Sequence, residues 1–376
     1  MEQRYISGVE APLLAHRRAH LLETKFKQQR PSRRHRIYFT MAGATIFIIL
    51  AVFLLYGLAM PLSFVSRNHH GLRLRILHDG LAMGPSVPFD FPDPTLIRHE
   101  NGTWFAFATN SGGRNIQVAR SRTTNILGRW ERLGIDAMPE NTWTTGRNTW
   151  APDVKRLYDG SYIMYFAGEM PDSHQHCVGV ARSDKLEGPY TADPEPWVCP
   201  REEGGAIDAA GFRDPTTGRQ YVVYKVDGNS RGDFSQCGTG TGDPNLKTPL
   251  MLQEVSPSDG CTKMGAATIL LDRIPDLDGA LIEAPELTIR PDGTYVLFYS
   301  SHCFTDPKYD IKYAYSRNVK GPYRRASKSL LQTPQFGLKG PGGASTGGEV
   351  DWDWLAFHAN CKDNGRCMYI TGYGQE

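Results

Sequence analysis

The sequence predicts an all-β fold, a five-bladed β-propeller, preceded by one transmembrane helix. Three observations carry this. Glycines Gly102, Gly160, Gly218 and Gly293, spaced 58, 58 and 75 residues apart, each precede an aromatic-rich apolar run such as Trp104-Phe105-Ala106-Phe107-Ala108 or Tyr295-Val296-Leu297-Phe298-Tyr299. A turn signal followed by a short apolar run reads as a strand, and its repetition at this period is the pattern of propeller blades. Between Ile37 and Met60 there is no charged side chain, a run long enough to cross a bilayer as a helix.

A second segment follows each of these strands, as in Asn115-Ile116-Gln117-Val118-Ala119, Val178-Gly179-Val180-Ala181 and Ile311-Lys312-Tyr313-Ala314. Two of these lead into matching turns, Glu187-Gly188-Pro189-Tyr190 and Lys320-Gly321-Pro322-Tyr323. A fifth unit is expected to start near Asp353-Trp354, which makes five blades of four strands. A β-sandwich with irregular insertions is the alternative, and it leaves the repeated acids described below unexplained. The 39 glycines and 11% aromatics suit many short strands joined by tight turns.

The division expected along the chain is a basic tail over 1–36, a membrane helix over 37–60, a linker over 61–85 and the propeller over 86–376. Nine lysines and arginines precede the apolar run, and only Arg67, Arg73 and Arg75 follow it closely. That asymmetry keeps the N-terminus cytoplasmic and sends the bulk of the chain outside or into a lumen, as in a single-pass signal-anchored protein. A cleaved signal peptide is the alternative. The seven cysteines suit an oxidising compartment. Proximity suggests Cys177 with Cys199, Cys237 with Cys261 and Cys361 with Cys367, leaving Cys303 over. Asn101-Gly102-Thr103 is both an N-glycosylation acceptor and a hairpin turn. A net charge of +2 and the lack of a basic stripe exclude a nucleic-acid partner.

The chemistry lies in carboxylates placed just ahead of the turn glycines. Asp93 precedes Gly102, Asp208 precedes Gly218 and Glu283 precedes Gly293 at nearly equal distances, and Asp153 precedes Gly160 at a shorter one. Equivalent positions in successive blades face one another around the axis of a propeller. Acids gathered there repel and raise at least one pKa. Glycoside hydrolysis uses that division, with one carboxyl protonated to serve the leaving oxygen and another ionised to activate water.

The ordered set Asp93-Pro94, Trp150-Ala151-Pro152-Asp153, Ile207-Asp208 with Phe212 and Asp214, and Ile282-Glu283-Ala284-Pro285 resembles glycoside hydrolase family 43. Gly340-Pro341-Gly342-Gly343-Ala344 and Phe357-His358-Ala359 resemble its last two blades. The resemblance implies an inverting glycosidase, hydrolysing O-glycosyl bonds in arabinose- or xylose-containing poly- or oligosaccharides, with plant cell-wall arabinan or arabinoxylan as substrate. It makes Asp93 the general base, Glu283 the general acid and Asp208 the acid that tunes Glu283, with Asp153 in support. Trp150 is a candidate for stacking on a sugar, and Arg147 and Asn148 for hydrogen bonds to one. No cofactor is required, although His358 matches a histidine associated with a bound calcium or its water shell near the axis. Phe212-Arg213-Asp214-Pro215 also resembles the Arg-Asp-Pro motif of retaining invertase-type fructosidases, one alternative. A membrane-anchored carbohydrate-binding propeller without catalysis is the other.

Overall fold

A computed structural model describes residues 71–376 apart from 78–80, 82–83, 232–236, 238–245, 348–352 and 363–364. The first strand, β1 (Leu74–Leu77), comes from the segment expected to be linker. Blade 1 is β2 (Thr95–Arg98), β3 (Trp104–Ala108), β4 (Gln117–Ser121) and β5 (Trp130–Arg132). Blade 2 is β6 (Trp150–Arg156), β7 (Tyr162–Glu169), β8 (His176–Ser183) and β9 (Thr191–Ala192). Blade 3 is β10 (Ala206–Arg213), β11 (Gln220–Val226), β12 (Leu250–Val255) and β13 (Thr268–Leu271). Blade 4 is β14 (Ile282–Ile289), β15 (Tyr295–Ser301), β16 (Asp310–Ser316) and β17 (Arg324–Arg325), with β18 (Leu331–Gln332) also paired to β16. Blade 5 is β19 (Gly342–Ser345), β20 (Trp354–Asn360) and β21 (Arg366–Gln375), and its fourth strand is β1.

Every sheet is antiparallel, and the inner strands β2, β6, β10, β14 and β19 touch in turn around a closed ring. The strands next to them, such as β3, β7, β11 and β15, are buried along their whole length. They are covered on both faces by neighbouring blades, which is why they read as unbroken apolar runs rather than alternating ones. Five apolar cores result, one between each adjacent pair of blades. Leu74 and Ile76 of β1 belong to the core between blades 4 and 5, so the N-terminal strand closes the ring by completing the last sheet. The linker expectation is corrected here, because its Leu-Arg-Ile-Leu alternation has a core to enter.

The four turn glycines all have positive φ, between 70° and 92°. Each closes a hairpin between the first two strands of its blade, where a side chain would be strained. In blades 1, 2 and 4 the bonds repeat, as in Gly102 N–H to His99 O, Gly160 N–H to Leu157 O and Gly293 N–H to Arg290 O. The last blade starts earlier than expected, because Gly342–Ser345 forms its inner strand and Trp354 already lies on the second. The only α-helix among the described residues is the four-residue Pro275–Asp278, and no described helix is long and apolar enough to cross a membrane. The basic tail and the apolar run 37–60 lie outside the described residues.

Disulfides join Cys177 to Cys199 and Cys361 to Cys367 as proximity suggested. The third joins Cys237 to Cys303, leaving Cys261 as the free thiol. Sequence distance misled there, because the propeller brings the β15–β16 loop of blade 4 to the β11–β12 loop of blade 3. Cys261 instead packs beside the core between blades 2 and 3 and accepts a hydrogen bond from Arg182 Nη2 at 2.9 Å.

Candidate active site

The inner strands share one irregularity that builds the site. The pairing of β6, β10, β14 and β19 with the next strand skips two residues, between Trp150 and Asp153, Ile207 and Ala210, Glu283 and Glu286, and Gly342 and Ser345. In each bulge one residue takes the left-handed conformation: Ala151 (φ 42°), Asp208 (φ 55°), Ala284 (φ 50°) and Gly343 (φ 59°). Asp93 (φ 52°) does the same just ahead of β2. A bulge turns its residues out of the ladder and re-aims them. The left-handed conformation costs a non-glycine residue about 1–2 kcal/mol, and aspartate tolerates it better than most.

This register corrects the spacing argument. Asp93, Ala151, Asp208, Ala284 and Gly343 are structurally equivalent, Glu283 sits one position earlier and Asp153 two positions later. Asp93, Asp208 and Glu283 nevertheless line one cavity of about 790 Å³. Asp153 does not line it but borders a small axial space with Thr95, Glu286 and Ser345, which Asp93 and Asp208 also border. It is buried and fully engaged, accepting from Thr95 Oγ1 (2.7 Å), Lys155 Nζ (2.7 Å) and Gly211 N–H (2.7 Å). Asp153 therefore ties the inner strands of blades 1, 2 and 3 together, away from the cavity that Asp93, Asp208 and Glu283 line. Arg147 is exposed and does not line the cavity. Trp150 and Asn148 do, with the Trp150 ring stacked on His176 at 3.5 Å between centroids and the Asn148 carbonyl accepting from His176 Nε2 at 3.0 Å.

Around Asp93 the donors converge. Thr109 Oγ1 donates to Oδ2 at 2.6 Å, and Arg366 Nη1 donates to Oδ1 at 3.2 Å. Burial pushes the carboxyl pKa up, but the Arg366 charge, with the Thr109 hydroxyl, outweighs it and holds Asp93 well below the usual carboxylate range. It is ionised at neutral pH, as a base must be.

His358 Nδ1 lies 3.1 Å from the Asp93 amide nitrogen and 3.2 Å from its Oδ1. One nitrogen cannot accept from the amide and donate to the carboxylate together. Burial and the Arg366 charge depress the imidazole pKa, so the ring is neutral; Nδ1 then accepts the amide proton and Nε2 carries the ring proton. Nε2 is buried without a partner among the described residues, and those residues hold no cluster of three or more ligating side chains. A protonated Nε2 seeks an acceptor such as water, so His358 does not fit direct ligation of a calcium ion, which prefers oxygen.

Opposite Asp93 stand the other two acids. Glu283 accepts from Tyr309 Oη at 2.8 Å on Oε1 and from Lys225 Nζ at 3.2 Å on Oε2. Asp208 accepts the Ala284 amide at 2.9 Å. Lys225 is fully buried and also pairs with Asp227 at 2.9 Å, so one ammonium faces three carboxyls. Burial lowers the lysine pKa, yet Asp227, Glu283 and Asp208 together raise it, and it stays charged. One of the acids must keep a proton. Burial first, then the Glu283 charge, push Asp208 up to about 8.

This shift has a stability consequence. Asp208 holds its proton in the folded protein above the ordinary value of 3.8, so between about 4 and about 8 the folded state binds more protons than the unfolded one. Stability then falls as pH rises through that window. Replacing Asp208 by Asn removes the slope. The Tm of Asp208→Asn minus that of the wild type should grow steadily from pH 4 to pH 8; a constant difference contradicts the assignment.

Sequence reasoning missed Lys225, Tyr309, Thr109 and Arg366. Lys225 left a signal, a charge within the buried run Tyr221-Val222-Val223-Tyr224-Lys225-Val226. Gly342 and Gly343 are explained by the site. A Cβ on Gly342 would enter the Tyr309 ring, and one on Gly343 would lie 2.8 Å from His358 Nδ1. Asp214 lies elsewhere. Its carboxylate accepts from Thr216 Oγ1 (2.7 Å), Thr217 Oγ1 (2.8 Å) and Tyr295 Oη (2.9 Å), capping its own turn. The Arg-Asp-Pro motif thus supplies no acid to the cavity.

Comparisons with known proteins give the family and the fold. The model of Glycosyl hydrolases family 43 matches residues 83–372. Extracellular endo-alpha-(1->5)-L-arabinanase 2 of Bacillus subtilis strain 168 is 25% identical over 270 residues, 67% of this chain and 52% of that protein. An extracellular endo-alpha-(1->5)-L-arabinanase of Thermotoga petrophila is 27% identical over 260 residues, 61% of this chain and 50% of that protein. The chain thus spans about half the length of these curated relatives. Among solved structures, a thermostable family-43 glycoside hydrolase superposes with a TM-score of 0.61 at 24% identity, over 76% of this chain and 89% of that one, a likeness of fold.

Proposed function

From the premise that this chain belongs to the glycosyl hydrolases of family 43, we propose that it is an inverting glycosidase that hydrolyses arabinan-type polysaccharides or oligosaccharides. The observation that carries the reading is the pairing, in one cavity, of a carboxylate held ionised with a carboxyl that keeps its proton near neutrality. Asp93 takes a proton from water as it attacks the anomeric carbon. Glu283 protonates the departing oxygen, drawing on the proton that the Asp208–Glu283 pair retains. Lys225 and Tyr309 fix the Glu283 carboxyl, and the Trp150–His176 stack offers an aromatic face to a sugar. Both proton transfers use carboxyls, and no step passes through a metal. Support for the substrate is the arabinanase activity in the names of the two curated relatives; xylose-containing glycans are the second substrate class.

The assay is release of reducing sugar from linear arabinan, arabinoxylan and xylan. Cleavage of arabinan above the other two is expected. Binding of these glycans without cleavage would instead support a carbohydrate-binding propeller, and cleavage of fructosides an invertase-type enzyme.

We also propose that the run Ile37–Met60 is a signal anchor that places the propeller outside the cytoplasm. The uncharged run, the basic residues before it and the three disulfides support this. Protease added to intact cells should remove an extracellular propeller and spare the N-terminal tail, and a luminal propeller should be cut only once the organelle membrane is opened; a C-terminus in the cytosol refutes it.

A further inference from the structure

Each of the three disulfides adjoins a residue of the cavity wall. His176 precedes Cys177, Phe304 follows Cys303 and Arg366 precedes Cys367. None of the six half-cystines belongs to the five cores between blades. The disulfides are thus placed for the mouth of the site and not for the packing of the sheets.

We propose that the Cys361–Cys367 disulfide is a positioning device for catalysis, closing the β20–β21 hairpin so that the Arg366 guanidinium stays on Asp93. The proposal rests on the hydrolase reading for its kinetic consequence and on geometry alone for its placement. Asn360 and Arg366 are the last pair of the β20–β21 ladder, and the Cys361 amide donates to the Gly365 carbonyl at 2.9 Å. The Arg366 amide donates to Asp90 Oδ1 at 3.0 Å, and its carbonyl accepts from the Phe91 amide at 2.8 Å. Its guanidinium is then held between Asp93 Oδ1 (3.2 Å) and the Phe304 ring (4.7 Å to the centroid). A disulfide across so short a hairpin removes less unfolded-chain entropy than one across a long loop, so its larger effect falls on local geometry.

The groups facing Asp93 set what release of Arg366 would do. From β20 comes neutral His358, from the end of β3 the Thr109 hydroxyl, and from blades 3 and 4 the acids Asp208 and Glu283, with Tyr309 bonded to Glu283. Arg366 is the cation paired with Asp93. Freeing it leaves the base among carboxyls.

The test uses the full chain with Cys361→Ser/Cys367→Ser, and Cys361→Ala/Cys367→Val as a second pair that keeps an apolar group at the buried position 367. In ¹⁵N NMR, with the signal assigned through Arg366→Gln, the Arg366 guanidinium of the wild type should be restrained and slow to exchange. In the cysteine variants it should rotate and exchange like a free arginine, with Tm lowered by only a few degrees. For the active enzyme, kcat/KM should fall roughly tenfold to a hundredfold. The acidic limb of its pH profile should move to higher pH, and adding Arg366→Gln to the cysteine variant should cause little further loss. A guanidinium signal unchanged in the cysteine variants overturns the proposal, as does a full additional loss from Arg366→Gln. A wild type that cleaves no glycan refutes the hydrolase reading alone, because the NMR result still decides whether the disulfide holds Arg366.

Discussion

Asp93→Asn should lower kcat/KM by about a thousandfold on every substrate, within the range a general base contributes. The amide keeps the shape of the carboxylate and can still accept from Thr109. It cannot take a proton from water, and it leaves the Arg366 charge beside it unpaired. The loss should therefore appear mostly in kcat, with KM changed little, because the affected group acts on the attacking water. Parallel measurement of kcat and KM on an arabino-oligosaccharide and on a nitrophenyl arabinofuranoside checks this. Near-normal turnover would remove Asp93 from the mechanism.

Glu283→Gln should produce a loss that depends on the leaving group. A sugar alkoxide departs poorly without a proton, so turnover of arabinan should fall by roughly a thousandfold. Nitrophenolate departs readily, so nitrophenyl glycosides should keep a much larger share of their rate. The variant also places an amide beside Lys225, whose ammonium then loses one of its anionic partners. A uniform loss on both substrate types would assign Glu283 to binding or to structure rather than to proton donation.

The architecture was legible because a propeller repeats itself. The glycines read as turn signals do close the hairpins, with positive φ, and the apolar runs after them are the strands enclosed between blades. The closing strand was not legible. Leu74–Leu77 is four residues long and pairs with the far end of the chain, and no local pattern announces such a partner. The three acids of the site were legible as residues but not in their register. Distance to the turn glycine misleads because the β10–β11 turn is one residue longer than the others, so Glu283 matches Asp208 in spacing although it sits one position earlier on its strand, while Asp153 sits two positions later. The groups that set the charge balance were the hardest to see. Arg366 reaches Asp93 from the last blade, 273 residues away, and Tyr309 reaches Glu283 from the β15–β16 loop of the same blade, where no local pattern marks it. Cys303 was left over because its partner Cys237 is 66 residues away in another blade.

The central claim is that Asp93 activates water for a single displacement while Glu283 donates the proton. Proton NMR of the first-formed sugar, recorded within the first minutes of hydrolysis of a linear arabino-oligosaccharide, tests it most directly. A single displacement by water inverts the anomeric carbon, whereas a covalent glycosyl-enzyme route retains it. The account predicts that the initial product carries the inverted configuration and only later mutarotates to equilibrium. An initial product with retained configuration would contradict it, making an acid of this cavity a nucleophile.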